Sequence, residues 1–201
     1  MPVRVLIAAT GEPVSVDDVR THLRIESTEE DYLLLSYITA ARLYAENYCR
    51  RSFMPQTFRL SIDTFPASGL IELPFAPLST NSTDVTITYA DSSGNSTTLS
   101  STYYTVDYQS EPGRIILNKD LDWPDTYGHY LDVSITYKSG YPLDANSTGG
   151  TCPGAIKQWI LMRVGQMYEH REPVMIGQNF SYLQRSFVDG LLDPFVSIEV
   201  V

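Results

Sequence analysis

Cysteine is scarce in this chain: there are two, Cys49 and Cys152, among 201 residues. Two are too few for a disulfide scaffold, and they lie too far apart in sequence for a metal knuckle. Reduced thiols are the expectation, with the two cysteines brought near each other by the helices they flank. Histidine is equally sparse, with only His22, His129 and His170. A zinc-protease helix needs two histidines four residues apart with a glutamate between them, and this spacing is absent. No apolar run reaches the roughly 18 to 20 residues of a membrane helix, and the opening VRVLIAAT lacks the length and flanks of a cleaved signal. A soluble chain made in a cytoplasm is therefore expected, with no membrane partner. On that reading the Asn-x-Ser/Thr triplets at Asn81, Asn95, Asn146 and Asn179 are by-products of loops rich in Ser, Thr and Asn. Nucleophile elbow, phosphate loop and dinucleotide fingerprint are also missing, so no cofactor is expected.

Basic charge is in short supply as well. Lys and Arg number 14 against 24 Asp and Glu, for a net charge of −10, and residues 53–150 hold 4 basic and 11 acidic groups. Phosphate neutralisation needs clustered cations, whereas the only adjacent pair is Arg50-Arg51. This excludes a DNA-gripping surface but is compatible with a weakly repelling wall past which DNA slides.

What the sequence does contain is two kinds of periodicity. PVSVDDVRTHLRIES opens with a helix start in which Ser15 caps and Asp17 and Asp18 favour the exposed amides, predicting a helix over about 16–24. Ser27 or Thr28, followed by Glu29, Glu30 and Asp31, predicts a second, long helix to about Arg51. Its apolar arc runs through Leu34, Ile38, Ala41, Ala45 and Tyr48, widened by Leu33, Tyr37, Ala40 and Tyr44, while Thr39, Arg42, Glu46 and Arg50 read as its wet edge. From Pro55 the period becomes two. TFRLSI, LIELP, DVTITYA, YYTVDY, GRIIL and LDVSITYKSGY predict about six strands, with a hairpin turn at Asp91-Ser92-Ser93-Gly94-Asn95. Helix returns after Pro153 with Ile156, Trp159, Ile160, Val164, Met167 and Tyr168 in helical spacing, and Pro173 stops it. A tail with one short helix near 185–192 follows.

The predicted fold is α+β: a small α-helical bundle, two long helices plus short ones, carrying an inserted antiparallel β-module. Residues 1–54 and 151–201 form the helical part with its C-terminal tail, and 55–150 the insertion. In MYEHREP, at 167–173, Glu169, His170 and Glu172 are residue types of an acid/base or metal site, but the missing partner histidines make it a helix end. Asp120, Asp122 and Asp125 lack the glycine and terminal glutamate of a calcium loop. No catalytic or metal residues are assigned. The tail carries more aromatics than a free terminus in water supports, so they close over the helices or bury against another protein.

Taken in order, VSVDDVRTHLRIESTEEDYLLLSYITAARLYAENYCRRSFMPQTFRL, ELPFAPL, VTITYADSSGN, YYTVD, PGRIIL, SITYKSGY, CPGAIKQWILMRVGQMYEHREPV and LLDPFV resemble the head–tail connector, or adaptor, proteins of tailed bacteriophages and gene transfer agents. The resemblance runs from Val14 to about Val196. It implies a virion structural protein of the neck, not an enzyme, assembled as a ring, usually of about twelve copies, beneath the portal protein. Such a ring extends the DNA channel, through which DNA passes without sequence-specific binding, and docks stopper or tail-completion proteins. On this reading Glu169, Arg171 and Glu172 become candidate interface ion pairs, and Phe180, Tyr182, Leu183, Phe187 and Phe195 candidate docking residues of the tail. A secreted or surface β-rich binding module, or a small hydrolase, is the alternative.

Overall fold

The computed structural model describes residues 2–143, 150–170 and 187–197. The chain divides into two compact units, one of residues 1–10 with 55–141 and one of 11–54 with 142–201.

The second unit is helical. Helix α1, Val16–Leu23, begins with a reciprocal cap: the Ser15 hydroxyl accepts from the Asp18 amide at 3.0 Å, and the Asp18 carboxylate accepts from the Ser15 amide at 2.8 Å. Helix α2, Asp31–Cys49, starts later than its sequence signal suggests, because the Ser27 hydroxyl accepts from the Glu29 amide and so builds a turn ahead of the helix. Glu30 occupies the cap position without a side-chain cap bond. Helix α3, Gly154–Glu169, follows Pro153, and the tail supplies a single turn, α4, at Phe187–Gly190 and a 3-10 turn at Asp193–Phe195. Leu34, Ile38, Ala41 and Ala45 of α2 and Ile156, Trp159, Ile160 and Val164 of α3 are buried, the stripes that helical spacing marks out. Arg42 and Glu46 are buried too, so the wet edge assigned to α2 is wrong there.

The first unit is antiparallel β throughout. One sheet has the order β1-β2-β8-β4-β5, with β1 Val3–Ile7, β2 Gln56–Ile62, β4 Val85–Ala90, β5 Ser96–Thr98 and β8 Val133–Ser139; the other has the order β3-β7-β6, with β3 Leu70–Leu73, β6 Tyr104–Asp107 and β7 Gly113–Leu117. Alternation decides which side is packed. On β2 Phe58, Leu60 and Ile62 face inward and on β8 Val133, Ile135 and Tyr137 do, and these join Ile71, Leu73 and Ile115 of the smaller sheet in one core. The Phe58 ring stacks on Phe75 at 5.0 Å and on Tyr137 at 5.7 Å.

Two of the eight strands, β1 and β5, are absent from the sequence reading. Residues 1–10 also fall with the sheets, not with the helices as expected, because β1 pairs antiparallel with β2 from Val3↔Leu60 to Val5↔Phe58. The β4–β5 hairpin turns where predicted: Asp91 Oδ1 accepts from the amides of Ser93 and Asn95, each at 2.9 Å.

Candidate functional site

The described part of the charged knot that ends α3 is a helix terminus. Glu169 is the last helical residue and His170 the cap, its amide donating to the Gln166 carbonyl at 3.0 Å, and both side chains are exposed. Arg171, Glu172, Phe180, Tyr182 and Leu183 lie outside the described residues, and of Phe187 only the backbone, opening α4, is described. No group of three or more His, Cys, Asp or Glu among the described residues is placed to hold a metal. Both thiols are free and buried in the helical unit. Burial pushes Cys49 up to about 11 and Cys152 up to about 12, which keeps them protonated at neutral pH and poor as nucleophiles. Among the described residues no helix is long and apolar enough to cross a membrane.

What the helical unit does contain is a buried ionic chain that no motif announces. Arg42 donates from Nε to Glu12 Oε2 at 2.6 Å and from Nη1 to Glu46 Oε2 at 2.8 Å. The Thr39 hydroxyl donates to Glu12 Oε1 at 2.8 Å, and Glu46 Oε1 accepts from the Phe53 amide at 2.7 Å. Burial lowers the Arg42 pKa, but the two carboxylates outweigh it and the net shift is upward, so the guanidinium stays charged. The chain ties Glu12 and Phe53, which lie next to two of the three points where the polypeptide passes between units, onto α2. Only the Arg42 and Glu46 spacing of four was legible beforehand; Glu12 is 30 residues from Arg42.

The described tail lies on the C-terminal end of α2. Arg51 Nε donates to the Phe195 carbonyl, the Ser197 amide to the Cys49 carbonyl at 2.9 Å, and the Tyr48 hydroxyl to Asp193 Oδ1 at 3.4 Å, while Leu192 is buried. Phe195, one of the candidate docking residues, is half-buried there. The described part of the helical unit thus offers surfaces and a tail segment bound to α2.

No curated protein matches the chain. Among solved structures, a chain in the virion of a native gene transfer agent particle superposes with a TM-score of 0.77 at 21% identity, covering 100% of this chain and 98% of that one. Chains from the neck of an empty particle computed with C6 symmetry and of a native particle computed with C12 symmetry give 0.76 and 0.75, each at 22% identity and the same coverage. These likenesses establish a shared fold over the whole length. The family model of the phage gp6-like head-tail connector protein matches residues 13–113, more than half of the sequence, and so the chain belongs to the phage gp6-like head-tail connector family.

Proposed function

We propose that the protein is a structural subunit of a virion neck: a connector that forms a ring under the portal protein, lengthens the DNA channel and docks a stopper or tail-completion protein. The observation that carries this is the family match over residues 13–113. The fold shared with gene transfer agent particle chains, two of them from necks computed with C6 and C12 symmetry, supports the ring and a copy number of twelve. The net charge of −10 supports a wall that DNA passes without being held. We assign the helical unit, with Glu169, Arg171 and Glu172 as ion-pairing residues and Phe180, Tyr182, Leu183, Phe187 and Phe195 as tail contacts, to the joint with portal and neighbouring neck proteins. The β-rich insertion, in this reading, is the part that adapts the ring to its own particle.

The test is to remove the protein from the culture that makes the particles and image what is produced. DNA-filled heads without tails are the expected outcome. Complete, infectious particles in its absence would refute the assignment.

A further inference from the structure

Cations are rare in the sheet unit. Residues 1–10 and 55–141 contain only five cations, Arg4, Arg59, Arg114, Lys119 and Lys138, against ten Asp and Glu. Two of those five face each other directly across the β1–β2 pair, in the register Arg4↔Arg59. Both are exposed, and neither guanidinium has a hydrogen bond or ion pair among the described residues. Like charges directly opposed on a sheet destabilise it. Among the described residues no acid of the same chain relieves the pair.

Among the described residues, nothing pairs with the outer edge of strand β1. It is an edge strand with one row of backbone groups unpaired, and Val5 and Ile7 are 50% and 61% exposed. Soluble proteins ordinarily shield such an edge, because it accepts another chain.

The loop between β7 and β8 is built differently. The segment 118–132 has no regular structure, yet it is held to the ends of β2 and β4: the Leu131 amide donates to Asp63 Oδ1 at 2.9 Å, the Tyr127 amide donates to the Ala90 carbonyl at 3.1 Å, and Trp123 stacks at 4.8 Å on Phe65, which in turn meets Tyr89 of β4. A loop of that length, held in place, is uncommon without a function. It presents Asp120, Asp122 and Asp125, all exposed and without ion pairs among the described residues, beside Tyr130, which is 78% exposed.

Cyclic assemblies join unlike patches head to tail, whereas two-fold dimers join like with like. Resting on the ring reading given above, we infer that neighbouring copies meet through their sheet units, the β1 end of one copy with Arg4 and Arg59 receiving the 119–130 loop of the next copy with its aspartates and Tyr130. The occupant is a second copy because the complementary charge is carried by the same unit, on aspartates that make no ion pair with Arg4 or Arg59 among the described residues of their own chain. The arrangement also gives a reason for the Arg4 and Arg59 opposition: it is unfavourable in one subunit and is relieved when the neighbour's carboxylates arrive.

The experiment uses assembled particles and the purified full chain together. In particles, Leu6→Cys combined with Tyr130→Cys and treated with a short bismaleimide is expected to give a ladder of covalent multimers, while either change alone gives monomer; the native thiols are buried. In the purified chain, Arg59→Glu is expected to raise the melting temperature, since it turns the opposed pair into an ion pair, and yet to lower ring yield about tenfold at low salt. Arg4→Glu and Arg59→Glu combined with Asp120→Lys, Asp122→Lys and Asp125→Lys are expected to restore the ring, which a variant failing to fold could not do. Rings that form normally with Arg4→Glu and Arg59→Glu, and give no cross-linked ladder, overturn this contact while leaving the ring reading standing. Native particles found to hold a single copy overturn both.

Discussion

At the scale of the residue, Arg42 stands out as a buried charge. Its side chain is 7% exposed and that of Glu46 8%, with Glu12 at 15%. Such a chain adds little net stability relative to an apolar core, but breaking it strands two carboxylates away from water. Arg42→Met is therefore expected to lower the unfolding free energy by about 3–5 kcal/mol in urea titration, and adding Glu12→Gln and Glu46→Gln to recover a large part of that loss. A drop below about 1 kcal/mol, the range of an exposed pair, would mean that the network is solvated. Helix periodicity could not have found it. Thr39, Arg42 and Glu46 fall on one polar stripe, and a polar stripe reads as solvent-facing until a distant partner, here Glu12, is known to lie over it. Ser15 was legible for the opposite reason: its cap partner is three residues away, so the interaction is written in the local sequence.

At the scale of the element, local signals again separate what was readable from what was not. The six strands with clear alternation form as expected, whereas β1 has both faces largely exposed and so no alternation in burial, and β5, Ser96–Thr98, has no apolar residue to mark it. Both owe their strand state to a neighbour's hydrogen bonds and not to their own pattern. The turn that creates β5 is readable because Asp91 does the work. Its carboxyl is held below the usual carboxylate range chiefly by the Asn95 amide; desolvation, the next largest effect, opposes this, and the Ser93 amide adds to the lowering. Because the folded value is depressed, the turn's stabilisation is complete above the ordinary aspartate pKa and is lost as pH falls through the depressed one. Amide exchange at Ser93 and Asn95 should accordingly quicken, once corrected for its intrinsic pH dependence, at pH below that value. In Asp91→Ala both amides should be poorly protected at every pH; unchanged protection would show that the carboxylate does not hold the turn.

At the scale of the whole molecule, each unit has its own core and, by chance of sequence, its own probe. Of the two tryptophans, Trp123 belongs to the sheet unit and Trp159 to the helical unit, which also holds both thiols. This allows a perturbation of one unit to be read separately in the other. Gly113 opens β7, and a Cβ there would lie 2.9 Å from Leu78 Cδ2 and 3.0 Å from Leu78 Cβ, too close for a side-chain rotation alone to relieve. Gly113→Ala should then cost the sheet unit about 1–3 kcal/mol, the usual range for overpacking a filled core. With Trp159→Phe as the common background, Trp123 fluorescence should report a lower urea midpoint for Gly113→Ala. The labelling rate of Cys49 and Cys152, thiols that are buried and shifted up to about 11 and about 12, should stay unchanged in native buffer, because they react only when the helical unit opens. Arg42→Met should do the reverse, speeding thiol labelling while the Trp123 midpoint holds. Equal acceleration of labelling by both substitutions would show that the units open as one, and the β-rich insertion could then not vary independently of the helical part.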